Sequence, residues 1–296
     1  MRAVPRAREG VGVLRRDTLG LLVGSTPTRP AELARLIASL EAHSLTDWRL
    51  HVGFMAPPET PIPMSCAHPH VSVLREWPRL GVSAGYNALA RQAVGYGAEW
   101  LGWLNDDAEV EPGWDLAALR ALKAEPQAGI AALPYLTPHP PAGWHVNTFP
   151  PGLPYANFGI FSREVFQRAG GFDPRVFMYG CDNALCFRIL ALGLGVLPVA
   201  DARIVHHYRE DPQRVDNMDQ NDKRRAGWDA CLSEWRPKLE SLAATQARTV
   251  GTLEARGWRA VNAGGYVMDG TADEYARRYG HPLERPAMAS ERTAVR

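Results

Sequence analysis

"LGWLNDDAEVEPGW", residues 101–114, is an apolar run that ends abruptly in an amide and two adjacent carboxylates, Asn105, Asp106 and Asp107. The apolar part predicts a buried strand. Two neighbouring carboxylates at the end of a strand repel each other unless they lie on a solvated turn or share a positive charge. Because carboxylate and amide oxygens suit Mg²⁺ or Mn²⁺, the stretch predicts either an ordinary polar turn or a cation site that also holds a diphosphate.

The segments on either side of that stretch alternate between strand and helix patterns. Strands are predicted over 18–25, 47–55, 70–77, 99–104, 128–136 and 155–162, with two short strands within 195–208. Helices are predicted over 29–44, 83–97, 113–125, 163–173 and 182–195. This alternation predicts an α/β fold with a mainly parallel, doubly wound sheet. Ligands of such sheets gather at the carboxyl ends of the strands, where residues 105–107 are expected to lie.

Two regions depart from the alternation. Residues 137–154, rich in proline and aromatic residues, predict a long loop that serves as a lid or binding loop or else is disordered. From about residue 215 the sequence becomes helical and charged, with Trp228 and Trp235 as packing anchors, and residues 281–296 predict a mobile end.

Composition excludes several classes of protein. Lysine and arginine number 33 against 32 acidic residues, so the net charge of +1 offers no broad electrostatic footprint for nucleic acid, which is an unlikely partner. The 4 cysteines form no CxxC pair, which argues against a zinc site or a disulfide framework. No run approaches the roughly 18 apolar residues of a membrane span, and the basic first residues lack the apolar core of a signal peptide. A soluble, cytoplasmic protein is expected.

Five blocks, taken in order, resemble the family 2 glycosyltransferases with the GT-A fold, and in particular their rhamnosyltransferase-like members. They are 21–52, 75–93, 101–114, 155–193 and 200–208. Residues 101–114 resemble the DxD region of that family, and "GGFDPRVFMYGCDNALCFRILALG" (170–193) resembles its acceptor-side block. Five blocks in the family's order are more specific than any single motif. The resemblance implies a GT-A fold, a nucleotide-sugar donor and a divalent metal.

The resemblance also implies the roles of individual residues. Asp107 corresponds to the metal-binding aspartate of the DxD, with Asn105 in place of the first aspartate, and His206 corresponds to a further metal contact. Asp182 corresponds to the aspartate of the family's "ED" pair, the catalytic base of inverting members. The alternative for Asp182 is an N-cap of the helix that follows. The expected cofactor is Mn²⁺ or Mg²⁺.

Further residues are predicted to line the donor and acceptor sites. Donor-binding residues are expected to be Thr26, Arg29, Phe54, Asn87, Asn105 and Asp106. Phe54 could stack on the nucleotide base, and Asn87 stands at the asparagine position of the family's second block. Acceptor-binding residues are expected to be Trp144, His145 and Asn157; the first two lie in the proline-rich loop, where their rings either stack on a sugar or pack locally.

Several positions depart from the family pattern. The second strand ends in Gly53, Phe54 and Met55 instead of the usual "VDDGS", whose aspartate contacts the base. Cys181 replaces the glutamate of the "ED" pair, Ala184 replaces a nearby acid, and Tyr86 replaces an arginine. The donor nucleotide therefore stays open among UDP, GDP and dTDP.

The sequence predicts three regions. They are a leader at 1–17, a GT-A catalytic domain at 18–212, and a C-terminal helical extension and tail at 213–296. The catalytic domain is divided into a nucleotide-binding half at 18–110 and an acceptor half at 111–212.

The leading hypothesis is a metal-dependent inverting glycosyltransferase that moves a sugar from a nucleotide to a glycan or other hydroxyl acceptor. One alternative is a catalytically degenerate GT-A protein that binds a sugar nucleotide or a glycan. Another is a transferase that glycosylates a modified nucleic acid or a protein. A nucleotidyltransferase is less favoured because no Gly-rich, basic loop follows the first strand.

Overall fold

The computed structural model describes residues 18–75, 81–139, 141, 143–150, 152–208, 221–261, 265–268 and 277–278. The predicted leader at 1–17 and the predicted mobile end at 281–296 lie outside these residues. The strands are β1 Thr18–Ser25, β2 Asp47–Phe54, β3 Val71–Arg75, β4 Trp100–Trp103, β5 Ala108–Val110, β6 Ala128–Ala132, β7 Tyr135–Leu136, β8 His145–Phe149, β9 Leu153–Tyr155, β10 Gly159–Ser162, β11 Gly195–Pro198, β12 Ile204–His206, β13 Trp258–Val261 and β14 Gly265–Met268.

The helices are α1 Pro30–His43, α2 Val82–Gly95, α3 Trp114–Ala124, α4 Arg163–Ala169, α5 Cys181–Ala191, α6 Asn221–Trp235 and α7 Leu239–Thr249. Pro30 opens α1, where its missing N–H costs no hydrogen bond. The buried residues Leu33, Leu36, Ile37 and Leu40 recur at helical spacing and form the face of α1 that packs on the sheet. In the described residues, no helix is both long enough and apolar enough to cross a membrane.

The main sheet has seven strands in the order β11-β6-β10-β4-β1-β2-β3, and only β10 runs antiparallel to its neighbours. Strand β1 is almost continuously apolar because both faces of the sheet are covered. Leu21 packs in the core on the α1 side and Leu22 in the core on the α2 side. The mainly parallel, doubly wound α/β sheet predicted from the alternation is therefore confirmed.

A second sheet carries β13-β14-β8-β7-β12-β5, with β9 paired to β8. The prediction that 137–154 is a loop without strands was wrong, because β8 and β9 form a hairpin within it. The segment is rich in proline, which disfavours a strand prediction, and the strand β14 that pairs with β8 is distant in sequence. The second sheet places β12 directly beside β5, the strand that follows the acidic residues of the opening stretch.

The C-terminal region packs on α5 and β11 through apolar side chains, among them Trp235 and Leu242, and through polar contacts. Helices α6 and α7 confirm the predicted helical character, whereas the hairpin β13–β14 has no counterpart in the sequence predictions. The buried side chain of Gln246 on α7 bonds both the N–H and the C=O of Val196 on the edge strand β11, at 2.9 Å each. These bonds satisfy backbone groups of a strand that would otherwise expose an edge. The predicted boundaries of the three regions stay predictions.

Candidate functional site

The acidic end of β4 encloses a guanidinium. Nη2 of Arg29 lies 2.6 Å from Oδ2 of Asp107, and Nη1 lies 3.3 Å from Oδ1 of Asp106. Because β1 and β4 are parallel neighbours, their carboxyl ends meet, and the hydroxyl of Ser25 donates to Oδ2 of Asp106 at 2.8 Å. Both aspartates are 4 % exposed. The positive charge that the opening stretch calls for is thus supplied in this structure by Arg29.

The two carboxyl groups have opposite pKa shifts. Burial raises the pKa of Asp106 to about 7, although the charge of Arg29 and the hydrogen bond from Ser25 lower it. Burial also opposes ionisation of Asp107, but contact with His206 and Arg29 outweighs it and holds the pKa of Asp107 below its ordinary value. The repulsion between the neighbours is reduced because Asp107 carries the charge while Asp106 is readily protonated.

His206 approaches Asp107 because of strand register. In the antiparallel pair β5–β12, His206 lies opposite Ala108, the residue after Asp107. Nε2 of His206 is 3.1 Å from Oδ1 of Asp107, an oxygen that is buried without a well-formed hydrogen bond to any described residue. Asn105 lies 3.2 Å from the same nitrogen. The pairing of Asp107 with His206, predicted from the family resemblance, therefore exists in space.

The donor set at this point suits a divalent cation that is shared with a phosphate. An orphaned carboxylate oxygen and an imidazole nitrogen about 3 Å apart are spaced like adjacent ligands of a six-coordinate ion. In the described part of the chain, no three His, Cys, Asp or Glu side chains converge to hold a metal alone. Asp107 and His206 are therefore the two residues at this point whose side chains would hold such an ion.

Asp182 lies in the first turn of α5, where both carboxylate oxygens accept hydrogen bonds. Oδ1 accepts from the backbone N–H of Asn183 at 2.9 Å, and Oδ2 accepts from the amide of Asn157 at 3.1 Å. The N-cap alternative does not apply, because Gly180 holds that position with a φ of 92°. Burial raises the pKa of Asp182 to about 6, a value suited to a general base near neutral pH.

A chain of amides connects Asp182 to the second sheet. Asn147 on β8 donates to Oδ1 of Asn157 and to the hydroxyl of Tyr135, both at 2.8 Å. The Tyr135 ring lies 6.0 Å from the His206 ring. Asn157 was predicted to bind the acceptor; in the structure it orients Asp182. Sequence reasoning missed Asn147 and Tyr135, because Asn147 falls in the segment that was predicted to be a loop, where an asparagine is ordinary.

Tyr86, which replaces an arginine of the family pattern, is a buried residue of α2. Its side chain is 8 % exposed, and its ring packs 5.2 Å from that of Phe172. Burial raises the pKa of Tyr86 strongly, and the nearby side chains of Cys181, Asp106, Asp182 and Asp107 raise it further. The contacts that link the start of α5 to the acidic end of β4 run from Asp182 through Asn157, Asn147 and Tyr135 to His206, which pairs with Asp107.

Two donor-site predictions need correction. Phe54 is fully buried, so its ring offers no face to a nucleotide base. Asn87 was placed in the donor site, but its amide donates to the carbonyl of Phe172 at 2.8 Å and accepts from the N–H of Phe172 at 2.9 Å. Asn87 thus fastens α2 to the loop before α5. Phe54 lies on the predicted second strand and Asn87 on the predicted second helix, but the side chain of Phe54 is buried and that of Asn87 bonds the backbone.

The predicted aromatic acceptor residues are also buried. Trp144 is fully buried among Leu136 and Val205, so it has no ring face for a sugar in this conformation. His145 is 1 % exposed, and its ring packs 4.1 Å from that of Tyr135. Burial lowers the pKa of His145 to about 4, which keeps its ring neutral. The reason for the error is the hairpin, which turns a supposed exposed loop into packed strands.

Three further positions named from the sequence can be located in the structure. Thr26 follows β1, and its hydroxyl lies 2.9 Å from that of Thr28, close in sequence to Arg29. Cys181 and Ala184, which replace acids of the family pattern, are residues of α5 that are buried in the core. An acid at either place would have to enter an apolar environment, so these replacements match the local packing.

Comparisons with known proteins were made against families, curated sequences and solved structures. No family model matches the chain. The chain is 31% identical to the O-antigen biosynthesis protein RfbC of Myxococcus xanthus, in a match that covers 41% of this chain. The match spans only 12% of the length of that relative.

Two solved structures share the architecture. The mannosyltransferase PcManGT from Pyrobaculum calidifontis, in complex with GDP-Man and Mn²⁺, superposes with a TM-score of 0.54 at 16% identity, over 80% of this chain and 77% of that one. GalNAc-T7 with UDP, GalNAc and Mn²⁺ gives a TM-score of 0.55 at 14% identity, over 66% of this chain and 44% of that one. This chain therefore has the GT-A fold, as the resemblance of its five sequence blocks predicted.

Proposed function

We propose that the protein is an inverting glycosyltransferase that moves a sugar from a nucleotide-sugar donor to a hydroxyl acceptor. The observation that carries the proposal is the row of contacts that links Asp182, through Asn157, Asn147 and Tyr135, to the Asp107–His206 pair. A base near neutral pH and a site for a diphosphate are the two parts that the reaction needs. The likeness to RfbC and to two sugar-nucleotide transferases supports the same activity.

Asp182 acts as the general base. Its carboxylate takes the proton of the acceptor hydroxyl while the oxygen attacks the anomeric carbon, and the bond from that carbon to the diphosphate breaks with its electron pair on the leaving phosphate. A single displacement of this kind inverts the anomeric configuration. Asn157 and Asn183 hold the carboxylate in place, so the base is oriented before the acceptor arrives.

Asp107 and His206 would hold the divalent cation, with Asn105 beside them. Mn²⁺ or Mg²⁺ bound there neutralises negative charge on the departing diphosphate. The Mn²⁺ in both neighbouring structures supports a divalent ion. Thr26 and Arg29 stand where they can contact the phosphates of the donor, and UDP, GDP or dTDP remain the candidate nucleotides.

A donor panel tests the function. The protein is incubated with UDP-, GDP- and dTDP-sugars, Mn²⁺ or Mg²⁺, and a set of glycan acceptors, and release of nucleoside diphosphate is followed. We expect one nucleotide class to be consumed and proton NMR to show a product with the opposite anomeric configuration. A donor that binds tightly but is neither transferred nor hydrolysed with any acceptor or metal would instead favour the non-catalytic sugar-nucleotide-binding protein.

A further inference from the structure

The guanidinium of Arg29 occupies the place where a cation is expected. It contacts Asp107 at 2.6 Å and Asp106 at 3.3 Å, and its side chain is 17% exposed, while the carboxylates are almost fully buried. The other oxygen of Asp106 is held by Ser25. The negative charge of the acidic pair is therefore offset by a positive charge of the protein itself.

This arrangement opposes binding of a metal ion alone. Oδ2 of Asp107 is held by Arg29, whereas Oδ1 faces His206 without a well-formed bond to any residue in the described ranges. A dication at Oδ1 would share the carboxylate with the guanidinium, and like charges so close in a buried site repel each other strongly. The repulsion is relieved if the guanidinium finds another anion.

A diphosphate is the anion that suits Arg29. The planar guanidinium binds phosphate oxygens through paired hydrogen bonds, as it binds carboxylates. Arg29 directly precedes Pro30 at the N-terminus of the 14-residue helix α1, an end whose partial positive charge also favours anions. Phosphate and Asp107 are therefore alternative partners of the same side chain.

We propose that Arg29 is an exchangeable counter-ion: it holds Asp106 and Asp107 when no donor is present and moves to the donor diphosphate, releasing Asp107 to the metal. The inference rests on the proposed function in taking a nucleoside diphosphate as the ligand. It implies that metal and diphosphate each strengthen binding of the other, since linkage between two sites is reciprocal.

The first test measures metal binding without nucleotide. Mn²⁺ is titrated by calorimetry into the wild-type protein and into an Arg29→Gln variant. We expect the variant to bind Mn²⁺ about tenfold more tightly, because the competing charge is gone. Arg35→Gln is the matched control: Arg35 lies on the same helix, in a more exposed pair 3.4 Å from Glu109, and its removal should leave Mn²⁺ affinity unchanged. Equal or weaker Mn²⁺ binding by Arg29→Gln would overturn the proposal.

The second test measures diphosphate binding in saturating Mn²⁺. UDP and GDP should bind Arg29→Gln about tenfold more weakly than wild type, because the paired phosphate bonds are lost. Unchanged nucleotide affinity would also overturn the proposal. Arg29→Lys keeps the positive charge but loses the paired hydrogen bonds of the guanidinium, so its affinities for Mn²⁺ and for nucleotide should lie between those of wild type and Arg29→Gln. This variant keeps the test available if Arg29→Gln fails to fold. Neither titration requires turnover, so this proposal can fail while sugar transfer stands.

Discussion

Replacing Asp182 with asparagine is expected to lower the rate of sugar transfer by about two to four orders of magnitude, the usual contribution of a general base. The amide has nearly the shape of the carboxylate but cannot accept the acceptor's proton. Donor binding should change little, because Asp182 lies at the start of α5 and not among the residues at the end of β4. Initial rates with the donor found in the panel give the measurement.

The pH profile separates this role from a structural one. Because burial raises the pKa of Asp182 to about 6, the carboxyl is protonated below that pH and cannot act as a base. The wild-type rate should therefore fall as the pH drops through about 6 and level off above it, whereas the residual rate of Asp182→Asn should not follow this curve. Asp201→Asn, at an exposed turn before β12, is the matched control. A variant at position 182 that transfers sugar at nearly the wild-type rate would refute the base assignment.

Replacing Asp107 with asparagine should have an effect of similar size. The change removes the charge that faces His206 and one of the two carboxylates held by Arg29, while the size of the side chain is kept. Without that charge a divalent ion loses its anionic protein ligand, and we expect transfer to fall by about two to three orders of magnitude. The measurement is the transfer rate of the variant over a range of Mn²⁺ concentrations. This rate should not reach its plateau at the Mn²⁺ concentration that saturates the wild-type protein.

Glu109→Gln provides the control for a charge change nearby. Glu109 lies two residues further along, on β5, and forms partly exposed pairs with Arg35 and His207. Such pairs contribute little, so its rate should stay within about twofold of wild type. If Asp107→Asn behaved like Glu109→Gln, the cation site at the end of β4 would be in error.

The main sheet could be predicted because its signals are local. Strand β1 is a continuous apolar run, and α1 shows helical spacing after Pro30. Parallel strands end at one edge, so the sequence also predicted that Asp107 would lie at the carboxyl edge of the sheet. The approach of His206 and Asp182 followed from the family resemblance and not from periodicity.

The errors have a common physical cause, which is contact between residues distant in sequence. β8 pairs with its sequence neighbours β7 and β9, but it is held in the second sheet also by β14, more than a hundred residues later. For Trp144 and His145 the sequence left open whether the rings stack on a sugar or pack locally, and the structure shows local packing. In the same way, nothing near Asn87 indicates that its amide binds the backbone of Phe172.

The pairing of Arg29 with Asp106 and Asp107 shows the same limit. Arg29 could be named as a donor residue from its place after β1, but its partner is 78 residues away in the chain. Charge balance at the end of β4 required some cation, and the sequence suggested a metal. The side chain that supplies the charge in the structure becomes evident only once β1 and β4 are adjacent.

The most direct test of the whole account is a calorimetric titration of the protein with UDP, GDP and dTDP, each with and without Mn²⁺, with Asp107→Ala alongside. We predict that one nucleotide binds, that Mn²⁺ strengthens its binding, and that Asp107→Ala removes the effect of the metal. That result would identify the end of β4 as the site that holds a diphosphate and would narrow the donor. No binding of any of the three nucleotides, with or without metal, would contradict the account.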